Sequence, residues 1–139
     1  MHSAISALVP HRSGMCLLDT VESWSPETIA CRATSHLNSA NPLRRGGKLS
    51  ALAGIEYGLQ AAAAHGALLD RAPQPPGYLA GLRSVRLLRR RLDDPVLGVL
   101  AVQAMLQFRN ASGLIYEFAV HSESGEELVA GRATIILLP

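Results

Sequence analysis

Lysine and aromatic side chains are the residues this chain has least of. Lys48 is the only lysine among thirteen basic residues, and Phe, Trp and Tyr make up 4% of 139 positions. So few rings leave no surface on which bases stack, and a formal charge of 13 − 11 = +2 is too small for a phosphate-binding protein. Nucleic acid is thereby excluded as an expected partner. Two cysteines, Cys16 and Cys31, are too few for a disulfide scaffold and lack metal-ligand spacing, so no metal site is expected. Cys31 lies in an alternating run and reads as a buried thiol. The opening MHSAISALVPHR has no basic region followed by a long apolar core, so no secretory signal is expected and a cytoplasmic setting follows.

What is present is apolar and patterned. With 48% hydrophobic and 17% charged residues the chain is globular, and its length suits one domain over residues 1–139. Leu17–Trp24 and Thr28–Thr34 read as paired strands around the turn Ser25-Pro26-Glu27. A polar passage, SHLNSANPLRRGGK, leads to a long helix opening at Lys48 or Ser50 and fading near Asp70. Ala72–Gly77 reads as a proline-rich loop. Four strands follow, at Tyr78–Leu88, Val96–Phe108, Leu114–His121 and Leu128–Leu138, separated by Asp93-Asp94-Pro95, Asn110–Gly113 and Ser122–Gly125. Short connections imply antiparallel neighbours.

From Leu49 to Leu69 the only charged residue is Glu56. Apolar residues surround the helix drawn through that stretch, which predicts burial on all sides, with a desolvated carboxyl poised for proton transfer. Gln60 and His65, the many Ala and Gly residues and the absence of an aromatic belt argue against a membrane span. A helix apolar all round needs a curved antiparallel sheet wrapped about it. One helix and about six strands leave a side open that a second copy would cover, so an α+β domain forming a homodimer or higher assembly is expected.

Three local motifs narrow this. Leu8-Val9-Pro10-His11-Arg12 through Leu17-Leu18-Asp19 resembles the opening of 3-hydroxyacyl-acyl-carrier-protein dehydratases. Gly54-Ile55-Glu56-Tyr57-Gly58-Leu59-Gln60-Ala61 resembles their central-helix motif, and Tyr78-Leu79-Ala80-Gly81-Leu82 to Arg89-Arg90 resembles their LAG…FRR strand. The likeness spans nearly the whole chain and implies the hotdog fold. The His-Phe-Pro-Gly segment that those enzymes carry ahead of the helix Glu is absent, so the chain resembles a divergent branch akin to aryl-polyene-associated dehydratase-like proteins.

The resemblance implies a cofactor-free enzyme that dehydrates a 3-hydroxyacyl group on acyl carrier protein to the 2-enoyl thioester. Glu56 would be the acid and His36 the base, from opposite subunits, with His11 the alternative base. Gln60, one turn after Glu56, either orients the carboxyl or merely satisfies it. Gly46 and Gly47 offer backbone N–H groups to an enolate or thioester oxygen, or form a plain turn. Two basic clusters, one with Arg44, Arg45 and Lys48 and another with Arg83, Arg86, Arg89, Arg90 and Arg91, are candidates for docking the acidic carrier and its phosphopantetheine arm. Within them Arg44, Arg45, Arg86 and Arg89 are the chosen residues. His65 reads as a packing or capping residue; His2 and His121 carry no signal. The same fold also accommodates an acyl thioesterase or a non-catalytic subunit that binds acyl carrier protein.

Overall fold

The structure, a computed structural model, describes residues 16–72 and 77–137. Strands β1 (Thr20–Trp24) and β2 (Thr28–Ala33) are joined by the tight turn at Ser25, whose N–H and hydroxyl both engage Thr28. Helix α1 (Ala53–Asp70) comes next, then β3 (Gly77–Leu87), β4 (Leu100–Asn110), β5 (Gly113–His121) and β6 (Glu127–Leu137). The six strands make one antiparallel sheet in the order β1-β2-β4-β5-β6-β3. This is the hotdog arrangement that the resemblance implies.

Alternation along the strands builds the core. Ile29, Cys31 and Ala33 of β2, Leu100, Val102 and Ala104 of β4, and Leu114, Tyr116, Phe118 and Val120 of β5 are buried on the face turned to α1. Cys31 is a buried thiol as expected, its pKa pushed up to about 12 by desolvation.

The helix sits deep because its contact residues are small. Gly54 lies so near Val129 that a Cβ there would stand 2.7 Å from Val129 Cγ2, and a Cβ on Gly58 would collide with the Phe118 ring. Ala61, Ala62, Ala64 and Ala67 continue the seam. His65 is a core residue: Nε2–H donates to the Ser25 carbonyl at 2.8 Å, so Nδ1 accepts from the Tyr116 hydroxyl at 2.7 Å. Burial lowers its pKa, with the Ser25 bond opposing the shift.

Several boundaries differ from expectation, among them the first strand, which begins at Thr20 rather than Leu17. The helix begins at Ala53 rather than Lys48 or Ser50, because Leu49 to Ala51 pair with a distant segment. Leu92 N–H donates to Leu49 O, Ala51 N–H to Arg90 O, and Leu49 N–H to Asp93 Oδ1. β4 begins at Leu100 rather than Val96, since Asp94 caps a 3-10 turn over Pro95–Leu97 and Gly98 takes a positive φ of 66°. Gly77 opens β3 rather than closing a loop.

The expected burial of α1 on every side is also corrected. The helix packs chiefly on β4 and β5, less on β2 and β6, and barely touches β3. Leu52, Ile55, Glu56, Leu59 and Ala63 form a partly exposed stripe, with Leu52 58% exposed. On β3, Leu79, Leu82, Val85 and Leu87 are 36–43% exposed.

Two outcomes follow for stability. Gly58→Ala gains helix propensity worth about 1 kcal/mol, but the collision with Phe118 outweighs it. A net loss of about 1–3 kcal/mol is expected from urea midpoints; an unchanged midpoint would show that the helix does not approach β5 this closely. The second concerns pH. His36 and His65 have folded pKa values below the unfolded value of about 6.5, so below that pH the unfolded chain binds more protons and stability falls as pH drops. Each contributes a slope of up to about 1.4 kcal/mol per pH unit. Comparing urea midpoints at pH 7.5 and 5.5, His65→Gln should shrink the difference relative to the parent chain, and an equal difference would refute the assignment.

Candidate functional site

Glu56 stands on the uncovered stripe of α1, half-buried among Leu52, Ile55 and Leu59. One turn on, Gln60 is fully buried and its amide is oriented from outside the helix. Leu17 N–H donates to Gln60 Oε1 at 2.8 Å, so Oε1 must be the acceptor and Nε2 the side turned to Glu56 Oε1, at 3.5 Å. The Gln60 amide thus faces the Glu56 carboxyl group at the outer limit of hydrogen-bond length.

Leu17 also anchors a second chain of hydrogen bonds. Its carbonyl accepts from Ser35 Oγ at 2.6 Å, which leaves the Ser35 oxygen to accept from the Tyr57 hydroxyl at 2.7 Å. The Tyr57 oxygen in turn accepts from Asn41 Nδ2 at 3.2 Å, while Asn41 Oδ1 holds the Leu43 N–H. The Ser35 hydroxyl hydrogen is committed to the Leu17 carbonyl, and Asn41 Nδ2, which also donates to the Ser35 carbonyl, can only donate, so the chain has one direction. Burial raises the Tyr57 pKa, with the Ser35 and Asn41 bonds opposing the shift. Sequence reasoning missed Ser35, Asn41 and Tyr57 as supports. The available signal was Tyr57 itself, a hydroxyl beside Glu56 in an otherwise apolar helix.

His36 lies in the 3-10 turn Ser35–Leu37 and is fully enclosed by its own chain. Nε2–H donates to Gly98 O at 2.9 Å, leaving Nδ1 with its lone pair and no hydrogen-bond partner among the described residues. Desolvation lowers the ring's pKa, partly offset by the Gly98 bond. It is thus not an exposed loop histidine. Nor does its ring bond Glu56 within one chain: it faces the start of β4. Arg44 straps the loop down, donating to the carbonyls of His36, Asn38 and Gly47.

Gly46 and Gly47 are not at the helix start. They form the tip of a tight turn closed by Arg45 and Lys48, with φ of 59° and 76°, and α1 begins only at Ala53. That left-handed backbone favours glycine. His11 and His2 lie outside the described residues. His121, on β5, is half-buried.

The two basic clusters, distant in sequence, partly converge. Pairing of Leu49–Ala51 with Arg90–Leu92 joins the segment that carries the first cluster to the segment that carries Arg89, Arg90 and Arg91. Asp93 is the pin between them: it accepts from Arg91 and from Leu49 N–H and lies 3.9 Å from Arg44. Arg91 holds its carboxyl well below the usual range, against the opposing effect of desolvation. Of the four arginines expected to dock a carrier, each has a partner in its own chain. Arg44 and Arg45 bond backbone carbonyls, Arg86 pairs with Glu127 at 3.2 Å and Arg89 with Glu126 at 3.0 Å. Lys48 and Arg90 are exposed and make no ion pair among the described residues. No helix is long and apolar enough to cross a membrane among the described residues.

Several solved structures share the fold. A chain of the dehydratase heterocomplex ApeI:P from Xenorhabdus doucetiae aligns with a TM-score of 0.88 at 23% identity, covering 100% of this chain and 93% of that one. A hypothetical thioesterase with coenzyme A from Streptococcus pneumoniae aligns at 0.56 and 14%, covering 85% of this chain and 84% of its own. The PaaI protein of the phenylacetic acid degradation operon of E. coli aligns at 0.57 and 13%, covering 84% and 80%. At these identities the likeness is one of fold. No curated protein matches the chain. Sequence similarity to the ApeP dehydratase runs over residues 3–137, and the chain therefore belongs to the ApeP-like dehydratase family.

Proposed function

We propose that this chain works as a subunit of a dehydratase that removes water from 3-hydroxyacyl thioesters carried on acyl carrier protein, with Glu56 as the proton donor. In that reaction the C2–H and C3–O bonds break and a C2–C3 double bond forms. The C2 proton passes to the base, and the hydroxyl leaves as water with the proton of Glu56. The observation that carries the reading is the setting of Glu56. It is an acid on an apolar stripe that its own chain leaves partly open, with one carboxyl oxygen facing the Gln60 amide. Lys48 and Arg90, exposed and without an ion pair among the described residues, offer positive charge to an acidic carrier.

His36 meets two requirements of the base. Its ring is neutral at pH 7, and the Gly98 bond fixes the tautomer that leaves Nδ1 free. A third requirement, access, is not met by one chain, since the ring is enclosed. That enclosure favours a second reading, in which the neighbouring subunit supplies the base and His36 anchors the loop between β2 and α1. Likeness to a chain of a heterocomplex supports a site completed by a second hotdog subunit.

Turnover of a 3-hydroxyacyl carrier substrate to the enoyl thioester tests both readings. Glu56→Gln should lower kcat by about 10²–10⁴-fold, and unchanged turnover would remove Glu56 as the acid. His36→Asn should cause a comparable loss if His36 is the base and a small one, tracking stability, if it anchors the loop. Release of free carrier thiol without enoyl product would point to thioester hydrolysis instead.

A further inference from the structure

Glu56 lies in the first turn of α1, where a helix has the least backbone support. Leu52 begins that end without a side-chain cap. The first N–H groups, of Ala53, Gly54 and Ile55, close short turns onto the carbonyls of Ser50, Ala51 and Leu52. Two side chains hold this part of the helix from outside: Tyr57 and Gln60, one and four residues after Glu56. Both lead to Leu17. Its N–H donates to Gln60 Oε1 at 2.8 Å, and its carbonyl is reached from Tyr57 through Ser35 Oγ, in steps of 2.7 and 2.6 Å.

Ser35 is the junction of three segments. Its hydroxyl hydrogen goes to the segment before β1, its oxygen receives the Tyr57 hydroxyl of α1, and its backbone opens the 3-10 turn that carries His36. The residue after Glu56 is thus bonded to the residue before His36. Asn41 reinforces the joint, its Nδ2 donating to the Ser35 carbonyl at 3.0 Å and to the Tyr57 oxygen at 3.2 Å. Tyr57 and Asn41 are buried, so a hydroxyl that lost this bond would be left unsatisfied in a dry core.

We propose that the Tyr57–Ser35 hydroxyl pair positions the acid. It fixes the distance of the first turn of α1, and with it Glu56, from Leu17 and from the His36 turn. This rests on the reading of Glu56 as the proton donor. Neither hydroxyl need touch substrate: a displacement of about 1 Å in a reacting group can cost up to ~10²-fold in rate. A residue that acts only by placing Glu56 alters kcat and leaves KM alone.

Conservative variants, assayed at temperatures where each is fully folded, separate positioning from stability. Tyr57→Phe keeps the ring in the core and removes the bond, and Ser35→Ala removes it from the other side. Each should lower kcat on a 3-hydroxyacyl carrier substrate about tenfold, with KM within about twofold of the parent. The double variant should lose little more than either single one, because both break the same bond. Ser35→Thr, which restores a hydroxyl, should recover most of the rate. Tyr116→Phe is the matched control. It deletes a hydroxyl bond of equal length, to His65 nine residues further along the helix, and should lower the urea midpoint while leaving kcat unchanged. Tyr57→Phe and Ser35→Ala with parental kcat, or with a raised KM and unaltered kcat, would overturn the proposal while Glu56→Gln still abolished turnover. A parent chain whose turnover ignored Glu56→Gln would instead remove the acid, and the positioning role with it.

Discussion

A single helix about 10–12 Å across lies over strands spaced about 4.8 Å apart, and it cannot shelter six of them. In this chain α1 settles on the middle of the sheet, where Gly54 and Gly58 let it approach Val129 and Phe118 closely. The depth of that contact gives a compact core around β4 and β5. It also leaves the apolar face of β3 and the stripe from Leu52 to Ala63 partly uncovered. The position of Glu56 follows from the same geometry: it is carried on the side of the helix that the fold does not close.

Around this opening the polar groups are held from behind. Leu17 uses its N–H to orient Gln60 and its carbonyl to anchor Ser35, and through Ser35 the chain reaches Tyr57 and Asn41. The loop between β2 and α1 is thereby tied to the helix one residue from Glu56. At its other end Arg44 and Asp93 tie the same loop to the segment before β4. The Glu56 side chain is therefore presented by a braced scaffold, on a stripe that its own chain leaves partly exposed.

Much of this was legible in the chain. The strand order, the turn at Ser25-Pro26 and the isolation of Glu56 follow from local pattern, and the motifs at 8–19, 54–61 and 78–90 pointed to the fold. What was not legible depends on contacts distant in sequence. Apolar residues at 52, 55 and 59 look the same whether their own chain or a partner covers them, so the helix read as buried on all sides. Lys48 and Ser50 suited a helix start, yet pairing with Arg90–Leu92 claims that backbone. The enclosure of His36 was not legible, because nothing nearby in sequence announces the Gly98 carbonyl that receives it. Two arginine clusters that read as separate partly merge once that pairing forms.

The central claim is that one chain presents a proton donor on a surface that only a second subunit completes. Specific activity on a 3-hydroxyacyl carrier substrate, followed with sedimentation mass through a dilution series, tests it most directly. Turnover per chain should rise and fall with the assembled fraction and vanish as the monomer becomes the sole species. Constant turnover from a species sedimenting as a monomer would contradict the account.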